Sequence, residues 1–377
     1  MSKTLQDYAT LINDTIQSNE INHYITTDNM CQNLGGIDTF KNINIPQGKV
    51  RSFQKDDVLL SNIRLYFRKV YRAKQKGGCS SDVLVFRAKH IDSTTLFAIL
   101  SSQIFTDYAC SGSQGSKMPR GNKTHMMDFK IPTINFTIAK IFNSIQNKIE
   151  NNHKINELLH KILELLYEQY FVRFDFLDEN NKPYQTSGGK MKFSKELNRL
   201  IPSGWSVRFL NHKIVSTYQP KTISKTLLND SYSYSVYGGG GIIGRFTEYN
   251  HEQSEFIISC RGQCGISYLT LPKSWITGNA MVIRPTKSYT SKTYLYHTIK
   301  KYKLTNYITG SVQPQITRQN LSTMPILIPK RKTLNRWNNI SSLLWNLIHN
   351  NMQATQTLTA LRDLLLPLLL KQQVKPK

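Results

Sequence analysis

The sequence has few acidic residues and no long hydrophobic run. It contains 24 Asp plus Glu against 49 Lys plus Arg, a formal net charge of +25 over 377 residues. No apolar run reaches the roughly 18 residues that a membrane-spanning helix needs, and the N-terminus has no signal-peptide pattern. We expect a cytoplasmic protein with a polyanionic partner, nucleic acid before any other, because such a surplus attracts polyanions. A coding bias towards lysine is the alternative explanation.

Cysteine is also scarce, and the five cysteines are scattered along the chain. An odd number of scattered cysteines argues against a disulfide framework. Cys260 and Cys264 form one C-x-x-x-C pair, but neither a second pair nor a nearby histidine completes a zinc site. We therefore expect no bound metal, and we expect both residues to be small side chains in or beside a strand.

The sequence lacks the patterns that catalytic and cofactor-binding sites need. It has no G-x-x-x-x-G-K-[ST] phosphate loop, no dinucleotide fingerprint and no Asn/Asp-Pro-Pro-aromatic tetrapeptide of amino-methyltransferases. Asp128-Phe129-Lys130 has the local shape of a nuclease D-x-K, but no Pro-Asp precedes it. The nine histidines are dispersed, without an H-x-H or H-x-x-x-H pair. The chain is predicted to be non-catalytic and to have no cofactor of its own.

What the sequence does contain is an internal repeat with an offset near 198 residues. The matching pairs occur in the same order in both copies. They are residues 57–61 with 255–259, 81–87 with 278–284, Gly112-Ser113 with Gly310-Ser311, Arg120 with Arg318, Ile131-Pro132 with Ile328-Pro329, and Asn151-Asn152 with Asn350-Asn351. Two copies with one skeleton and different surfaces indicate one task performed on two different targets.

Each copy begins with a mixed segment and continues into a helix. Short β-branched runs at 83–86, 256–259 and 280–283 indicate strands. The glycine-rich run at 237–244 indicates a turn, either a tight hairpin, which we favour, or a loop that approaches DNA closely. Apolar residues recur at three- and four-residue steps from Ile138 to Tyr170 and from Trp337 to Leu365.

A helix over 136–171 would be roughly 50 Å long at 1.5 Å per residue. We expect it to pair with its repeat as an antiparallel coiled coil; two separate helices, each covering its own domain, are the alternative. The predicted fold class is α+β, with two mixed α/β domains separated by the two long helices and related by an internal pseudo-two-fold repeat. The domains cover 1–131 and 205–328, the helices 132–174 and 329–371, and an exposed connector rich in turn formers covers 175–204.

Several segments have a more specific signature, including I-P-S-G-W at 201–205, Y-G-G-G-G-I-I-G at 237–244 and T-G-S-V-Q-P-Q-I-T at 309–317. The others are residues 168–176, 182–184, 187–191 and 196–197 in the centre, 261–265 and 275–279 in the second domain, and 361–367 at the end. Together they resemble the specificity subunit of type I restriction-modification enzymes, over nearly the whole chain. The first domain departs from that pattern: it lacks a Gly-Trp opening and the glycine-rich loop, and residues 115–119 replace Gln-Pro-Gln.

The resemblance implies the non-catalytic, DNA-reading subunit of a larger complex. Such a subunit binds double-stranded DNA, two methyltransferase subunits that hold S-adenosylmethionine, and two restriction subunits that use ATP and magnesium. Two different target-recognition domains on paired helices would read a bipartite asymmetric site, and helix length would set the gap between its half-sites. Lys and Arg would bind phosphates, and a smaller set of side chains would read base edges.

Residue type and position near predicted loops identify the candidate DNA contacts. They are Arg64, Arg68, Lys69, Lys117 and Arg120 in the first domain, and Arg245, Arg261, Gln313, Gln315 and Arg318 in the second. A solvated surface position is the alternative for each of them. For the repeated Arg120 and Arg318, a structural role at the junction of domain and helix is an equal alternative.

Three other functions stay open on the sequence alone. A stand-alone DNA methyltransferase or nuclease is disfavoured by the missing motifs. A coiled-coil scaffold without its own DNA specificity would show no salt-dependent, sequence-specific binding. A phage-borne or silent specificity homologue that redirects a host methyltransferase would share every residue pattern described above.

Overall fold

The computed structural model describes residues 3–38, 41, 43–131, 134–229, 232–262, 264–286, 288–310 and 313–369. Within these residues the chain forms two units, one from Met1–Ile155 and Asn351–Lys377 and the other from Asn156–Asn350. Each of the two long helices contributes to both units, because each is continuous across the division.

The first unit contains two four-stranded sheets and the helices that cover them. Its strands are β1 (Ala9–Ile12), β2 (Thr15–Gln17), β3 (Tyr24–Ile25), β4 (Lys49–Phe53), β5 (Val58–Ser61), β6 (Val70–Arg72), β7 (Gly77–Cys79) and β8 (Val83–Ala88). Its helices are α1 (Leu5–Tyr8), α2 (Ser93–Leu100), α3 (Gln103–Ser111), α4 (Lys123–Met127) and the first part of α5 (Phe136–Tyr167), with 3₁₀ turns at Ser18–Glu20 and Leu65–Phe67. The sheet orders are β1-β8-β5-β6, which is antiparallel throughout, and β2-β4-β7-β3.

The central strand β5 is buried on both faces of its sheet. Val58 and Leu60 pack with helix residues such as Phe97, whereas Leu59 packs with Phe53 of the second sheet. Successive residues of a strand point to opposite faces, so a strand that is covered on both sides requires an unbroken apolar run. This is why the run at 58–60 is apolar at every position rather than at alternate ones.

Within its described residues, the second unit contains five sheets of two to four strands. Its strands are β9 (Met191–Ser194), β10 (Arg199–Pro202), β11 (Ser206–Phe209), β12 (Val215–Tyr218), β13 (Tyr234–Gly238), β14 (Gly241–Phe246), β15 (Phe256–Ser259), β16 (Ser267–Leu269), β17 (Trp275–Ile276), β18 (Ala280–Pro285), β19 (Ile308–Thr309), β20 (Gln315–Ile316) and β21 (Pro325–Ile328). Its helices are α6 (Lys292–Lys300), α7 (Arg318–Ser322), the first part of α8 (Arg331–Leu369) and the end of α5, which is followed by one π-helical turn at Glu168–Val172. Short 3₁₀ turns lie at Lys225–Leu227 and Leu304–Tyr307.

The main sheets of the two units have the same strand order. The antiparallel order β12-β18-β15-β16 repeats β1-β8-β5-β6. A helix with a side-chain N-cap follows each sheet, because Asp92 accepts from the amide of Thr95 and Ser291 accepts from that of Tyr294. The strands predicted at 83–86, 256–259 and 280–283 lie in β8, β15 and β18, so those predictions are confirmed, and the sequence repeat is a repeat of structure.

In the first unit the two long helices pack antiparallel. Asn152 Nδ2 donates to Thr355 Oγ1 at 3.2 Å, and Arg362 Nη1 donates to Gln146 Oε1 at 3.2 Å. The buried Arg362 guanidinium also donates to the carbonyl of Asn33 at 3.2 Å, so one polar network fixes both helices to the mixed domain. A buried charge is tolerated where hydrogen bonds satisfy it in this way.

In the second unit the helices are again antiparallel. Asn156 Nδ2 donates to the carbonyl of Ile348 at 3.3 Å, and the His160 ring meets the edge of Trp345 with centroids 5.0 Å apart. The predicted antiparallel pairing is thus present in both units. Residues 370 and 371 of the predicted second helix lie outside the described residues. Among the helices that the structure describes, none combines the length and the apolar character needed to cross a membrane.

An aromatic cluster fixes the helices to the second domain. Tyr167 of α5 donates its hydroxyl proton to Thr298 Oγ1 at 3.0 Å, stacks on His297 at 5.6 Å and meets Trp337 of α8 edge-on at 5.8 Å. Burial lowers the pKa of His297 to about 3, so its ring is neutral at neutral pH and packs as an aromatic.

The connector at 175–204 is mainly exposed, as predicted, but it is also structured and anchored by a few buried side chains. Its strands β9 and β10 form a hairpin, and Phe176 stacks on Trp205 at 5.1 Å and on Tyr184 at 4.9 Å. Ile201 is also buried. Most residues of the connector are polar. The prediction rested on that composition and did not identify the few apolar residues that anchor the segment.

The two ends of each mixed domain pair with one another. In the first unit the amide of Leu5 donates to the carbonyl of Phe129 at 2.8 Å, although Pro132, which follows, lies outside the described residues. In the second unit β11 pairs antiparallel with β21 over its whole length. Each domain is therefore an insertion whose entry and exit lie side by side.

Candidate nucleic-acid interface

A turn in the first unit is clamped onto the segment that follows β5. Gln114 and Arg120 exchange two backbone hydrogen bonds of 2.9 and 2.8 Å, which close the turn. Arg120 also pairs with Ile63 as an isolated β-bridge, and the amide of Arg64 donates to the carbonyl of Pro119 at 2.9 Å. These bonds bring three of the predicted contacts, Arg64, Lys117 and Arg120, to one place.

Most side chains of this turn are exposed, and two of them are cationic. The Arg120 side chain is 61% exposed while its Nη2 lies 2.9 Å from Asp82 Oδ1. Lys117 and Met118 are exposed beside it. The ion pair engages one nitrogen of a guanidinium whose side chain stays largely exposed, so the other Arg120 donors can meet an acceptor outside the chain.

Arg64 and the two remaining predicted contacts of the first domain, Arg68 and Lys69, differ in how far their charges are available. Arg64 and Arg68 both have left-handed backbones, with φ of 49°. Arg64 Nη2 reaches the carbonyl of Lys117 at 3.3 Å and stays at the turn. Arg68 Nη2 donates to the carbonyl of Ser101 at 2.9 Å, and Lys69 Nζ donates to a backbone carbonyl at 2.5 Å. Burial lowers the pKa of both Arg68 and Lys69.

The second unit has a turn of the same construction. Thr309 pairs with Gln315 in the β19–β20 ladder, and Gln315 also forms an isolated bridge with Arg261. The amide of Ile316 donates to the carbonyl of Cys260 at 3.1 Å, which holds the turn against the end of β15. Arg261, Gln313 and Gln315 are exposed, so these three predicted contacts share one surface; Ser311 of the turn lies outside the described residues.

The bridges correct one pairing of the sequence repeat. Arg120 occupies the position of Gln315. Arg120 pairs with Gln114, which precedes the left-handed Gly115, and with Ile63 just after the central strand. Gln315 likewise pairs with Thr309, which precedes the left-handed Gly310, and with Arg261 just after its central strand. The local offset is therefore 195 residues, and the predicted match of Arg120 with Arg318 is wrong. Gly115 matches Gly310 in place of Gly112.

The remaining two predicted contacts of the second domain lie apart from this turn. Arg318 is exposed and is the first residue of α7, where it lines an open cleft with His212 and Ser322. The Arg245 guanidinium donates to the carbonyls of Tyr232 and Ser233. That side chain holds the segment before β13 against β14.

The glycine-rich run forms a hairpin, as we favoured. Strands β13 and β14 are joined by Gly239 and Gly240. A Cβ on Gly239 would lie 2.8 Å from the carbonyl oxygen of Arg261, whereas one on Gly240 would meet no atom within 4 Å. The hairpin therefore lies directly against the Arg261 segment, and only a glycine at 239 allows that approach.

The cysteine pair is structural. Cys260 is buried directly after β15, and Cys264 Sγ lies 3.1 Å from the carbonyl of Pro314, so the prediction of two small residues beside a strand is confirmed. Burial raises the pKa of both thiols. Among the described residues no group of three or more His, Cys, Asp or Glu side chains could hold a metal ion.

Sequence reasoning missed two side chains at the first turn. Asp82 was part of a repeat anchor but was not identified as the partner of Arg120. Tyr66, whose side chain is exposed on the 3₁₀ turn after Arg64, was not singled out at all. A tyrosine flanked by arginines at 64 and 68 was the available signal, because aromatic and basic residues interleave at nucleic-acid surfaces.

Comparison with known proteins adds three findings. Residues 202–356 match the family model of the type I restriction modification DNA specificity domain. The specificity subunit of type I restriction enzyme MjaIX from Methanocaldococcus jannaschii is 21% identical over 310 residues, which cover 72% of this chain and 67% of the relative. The crystal structure of the type I restriction-modification S subunit from M. genitalium has the same fold, with a TM-score of 0.63 at 14% identity over 99% of this chain and 96% of the other.

Proposed function

Because the chain belongs to the specificity subunits of type I restriction-modification enzymes, we propose that it reads a bipartite, asymmetric site in double-stranded DNA. Specificity subunits are the non-catalytic, DNA-recognising members of these complexes. The chain would direct two methyltransferase subunits and two restriction subunits to the site. A complex that acts on cellular DNA would work in the cytoplasm.

The observation that supports bipartite reading most strongly is the repeated turn. Both turns are clamped by the same two bridges next to the same central strand. Their exposed side chains differ: Arg120 and Lys117 in the first, Gln315 and Arg261 in the second. Recognition of two different half-sites requires different hydrogen-bonding groups on a common rigid backbone.

We propose that the direct contacts come from the two turns. They are Arg64, Lys117 and Arg120 for one half-site, and Arg261, Gln313 and Gln315 for the other. Arg68, Lys69 and Arg245 would act indirectly, because their charged ends bind carbonyls of their own unit. Arg318 would contact a phosphate, since its exposed side chain lies apart from the turn.

The division into recognition domains at 1–131 and 205–328, helices at 132–174 and 329–371, and a connector at 175–204 is part of the same proposal. Its support is the pairing of the ends of each mixed domain. A domain whose two ends lie side by side can be replaced by another domain without disturbing the long helices that flank it. This arrangement suits a recognition domain whose sequence differs between DNA targets.

The methyltransferase subunits would dock on exposed apolar positions of the long helices. Ile141, Leu361 and Leu364 are exposed on the two long helices of the first unit. The positions that correspond to them in the second unit, at an offset of 199 residues, are Ile340, Ile162 and Leu165. All three are also exposed. Exposed apolar patches of this kind mark protein interfaces, and one patch present twice fits two copies of one partner.

The cofactors would belong to these partners. We propose that S-adenosylmethionine is bound by the methyltransferase subunits, and ATP with magnesium by the restriction subunits. The support in this chain is the absence from its sequence of the phosphate-loop, dinucleotide and methyltransferase motifs.

Methylation mapping tests the proposal. The chain is co-expressed with its methyltransferase subunit, and methylated bases are located across the host genome. We expect one motif with two specified halves and an unspecified gap, and no methyl transfer by the purified chain alone. Methylation by the chain alone, or a contiguous motif, would contradict the proposal.

A further inference from the structure

The two turns differ in where the guanidinium is placed. In the second unit the bridged pair is Arg261 with Gln315, so the arginine follows the central strand and the amide lies in the turn. In the first unit the pair is Ile63 with Arg120, so an apolar residue follows the central strand and the arginine lies in the turn. The bridge pattern is the same in both units, while the side chains at the two bridged positions differ.

The neighbouring position strengthens this correspondence. Gly262 follows Arg261 with φ of +75°, and Arg64 follows Ile63 with φ of +49°. A left-handed backbone suits glycine but is unfavourable for an arginine, and such strain is concentrated at functional sites. The Arg64 guanidinium reaches back to the turn, where its Nη2 meets the carbonyl of Lys117 at 3.3 Å.

We infer that Arg120 and Gln315 are the equivalent base-reading residues of the two domains, and that each determines one base of its half-site. This inference rests on the proposed function. Arginine pairs bidentately with O6 and N7 of guanine, and glutamine with N6 and N7 of adenine. Arg120 therefore selects guanine in one half-site, and Gln315 selects adenine at the equivalent position of the other.

Asp82 is a positioning residue in this scheme. Its carboxylate holds the Arg120 guanidinium at 2.9 Å while the side chain stays 61% exposed. An arginine held at one end presents its remaining donors in a fixed plane, and planar presentation is what bidentate recognition of guanine needs.

The test is the methylation motif of exchanged variants in the complex with the methyltransferase subunit. Arg120→Gln is expected to change one base of one half-site from guanine towards adenine, with preference for guanine falling on the order of tenfold, and to leave the other half-site unchanged. Gln315→Arg is expected to make the reverse change in the other half-site. Arg331→Gln, at the exposed first residue of α8, is the matched control, and its motif should be that of the unmodified chain.

Binding of each complex to oligonucleotides that carry each of the four bases at each specified position distinguishes a loss of base preference from a loss of overall DNA affinity. Uniform weakening by Arg120→Gln across all sequences would show a phosphate contact and overturn the inference. An unchanged motif in a folded, assembled Gln315→Arg complex would overturn it as well, even if Arg120→Gln failed to assemble. A bipartite motif in the unmodified complex with no response to either exchange would refute the inference alone, whereas no bipartite motif would refute the proposed function.

Discussion

Arg87 and Asp57 form a two-pronged ion pair, with Arg87 Nε and Nη2 each 2.8 Å from one carboxylate oxygen. The pair recurs in the second unit, where Arg284 Nε and Nη2 lie 3.0 and 2.6 Å from Glu255 Oε1. Each acid immediately precedes the central strand, and each arginine is near the end of the neighbouring strand. Hydrogen bonding to the carboxylate raises the pKa of both guanidinium groups. The repeat thus includes an ion pair between a buried carboxylate and a partly exposed arginine, as well as a strand order.

This ion pair should contribute to stability without affecting sequence preference. It lies at the start of β5, whereas the turn with Arg120 lies at its end. Arg87→Ala leaves the carboxylate of Asp57, which is 2% exposed, without its partner, and we expect a loss of about 2–3 kcal/mol. Denaturant unfolding of the variant measures the loss.

Lys301→Ala is the control for that measurement, because it removes an exposed ion pair with Glu168 and should change stability by less than about 1 kcal/mol. The methylation motif of Arg87→Ala should be unchanged. Equal losses in the two variants would show that the repeated pair is no more than a surface contact.

His297 should make the second unit less stable at mildly acidic pH. Its pKa is about 3 when folded and 6.5 when unfolded, because burial and the nearby Lys300, His160 and Lys301 disfavour the charged form. A base whose folded pKa is depressed takes up its proton only on unfolding, so stability falls as pH drops below the unfolded value. We expect this residue to contribute a loss of about 2 kcal/mol between pH 7 and pH 5.

His297→Phe tests the assignment by removing the titrating group while it keeps a ring against Tyr167 and Trp337. The variant should unfold with a shallower pH dependence than the unmodified chain when both are followed at pH 7 and pH 5. The same slope in both proteins would mean that another group, such as His349 with its pKa lowered to about 4, accounts for the acid sensitivity.

The hairpin supplies a matched pair of glycine variants. Gly239→Ala would place a Cβ 2.8 Å from the carbonyl oxygen of Arg261, whereas Gly240→Ala has open space. Movement of the Arg261 backbone should weaken discrimination at the second half-site on the order of tenfold, while the first half-site is read normally. Competition binding with oligonucleotides altered in one half-site measures this. Identical behaviour of the two variants would remove the hairpin from the reading site.

The exposed helix positions should hold the methyltransferase subunits. Leu364→Glu places a charge in the first-unit patch, and Leu165→Glu does the same in the second-unit patch. Each variant should retain one methyltransferase subunit in place of two, because a charge inside an apolar interface is strongly unfavourable. The mass of the purified complex gives the number.

Ala354→Glu introduces the same charge at another exposed position of α8 and should leave both methyltransferase subunits bound. Loss of both subunits in Ala354→Glu, or of neither in the two leucine variants, would place the docking surface elsewhere.

The sequence predicted the elements that depend on local pattern. The start of α5 at Phe136 and the strands within β8, β15 and β18 follow from apolar periodicity, which reflects burial directly. It did not predict which part of the α5 stripe is covered. Phe142 and Ile149 are buried, but Leu158 and Leu165 are exposed. Apolar periodicity shows that one face of the helix packs against a partner. It does not show whether that partner belongs to the same chain or to another.

The register of the recognition turn was missed for a different reason. Both Gly112-Ser113 and Gly115-Ser116 match the Gly-Ser at 310–311, and the first match has the offset of the other anchors. Only the backbone bridges of Arg120 and Gln315 distinguish the two. Long-range pairing of this kind is set by tertiary contacts that leave no local periodic signal.

The most direct measurement exchanges residues 206–328 for the matching segment of a specificity subunit with a different target. Both exchange points lie on the paired strands β11 and β21, and Trp205 stays with its aromatic partners. Methylation mapping of the chimera with its methyltransferase subunit should show one half of the original motif unchanged and the other half replaced. A folded, assembled chimera in which both halves change, or neither does, would contradict two independent reading domains.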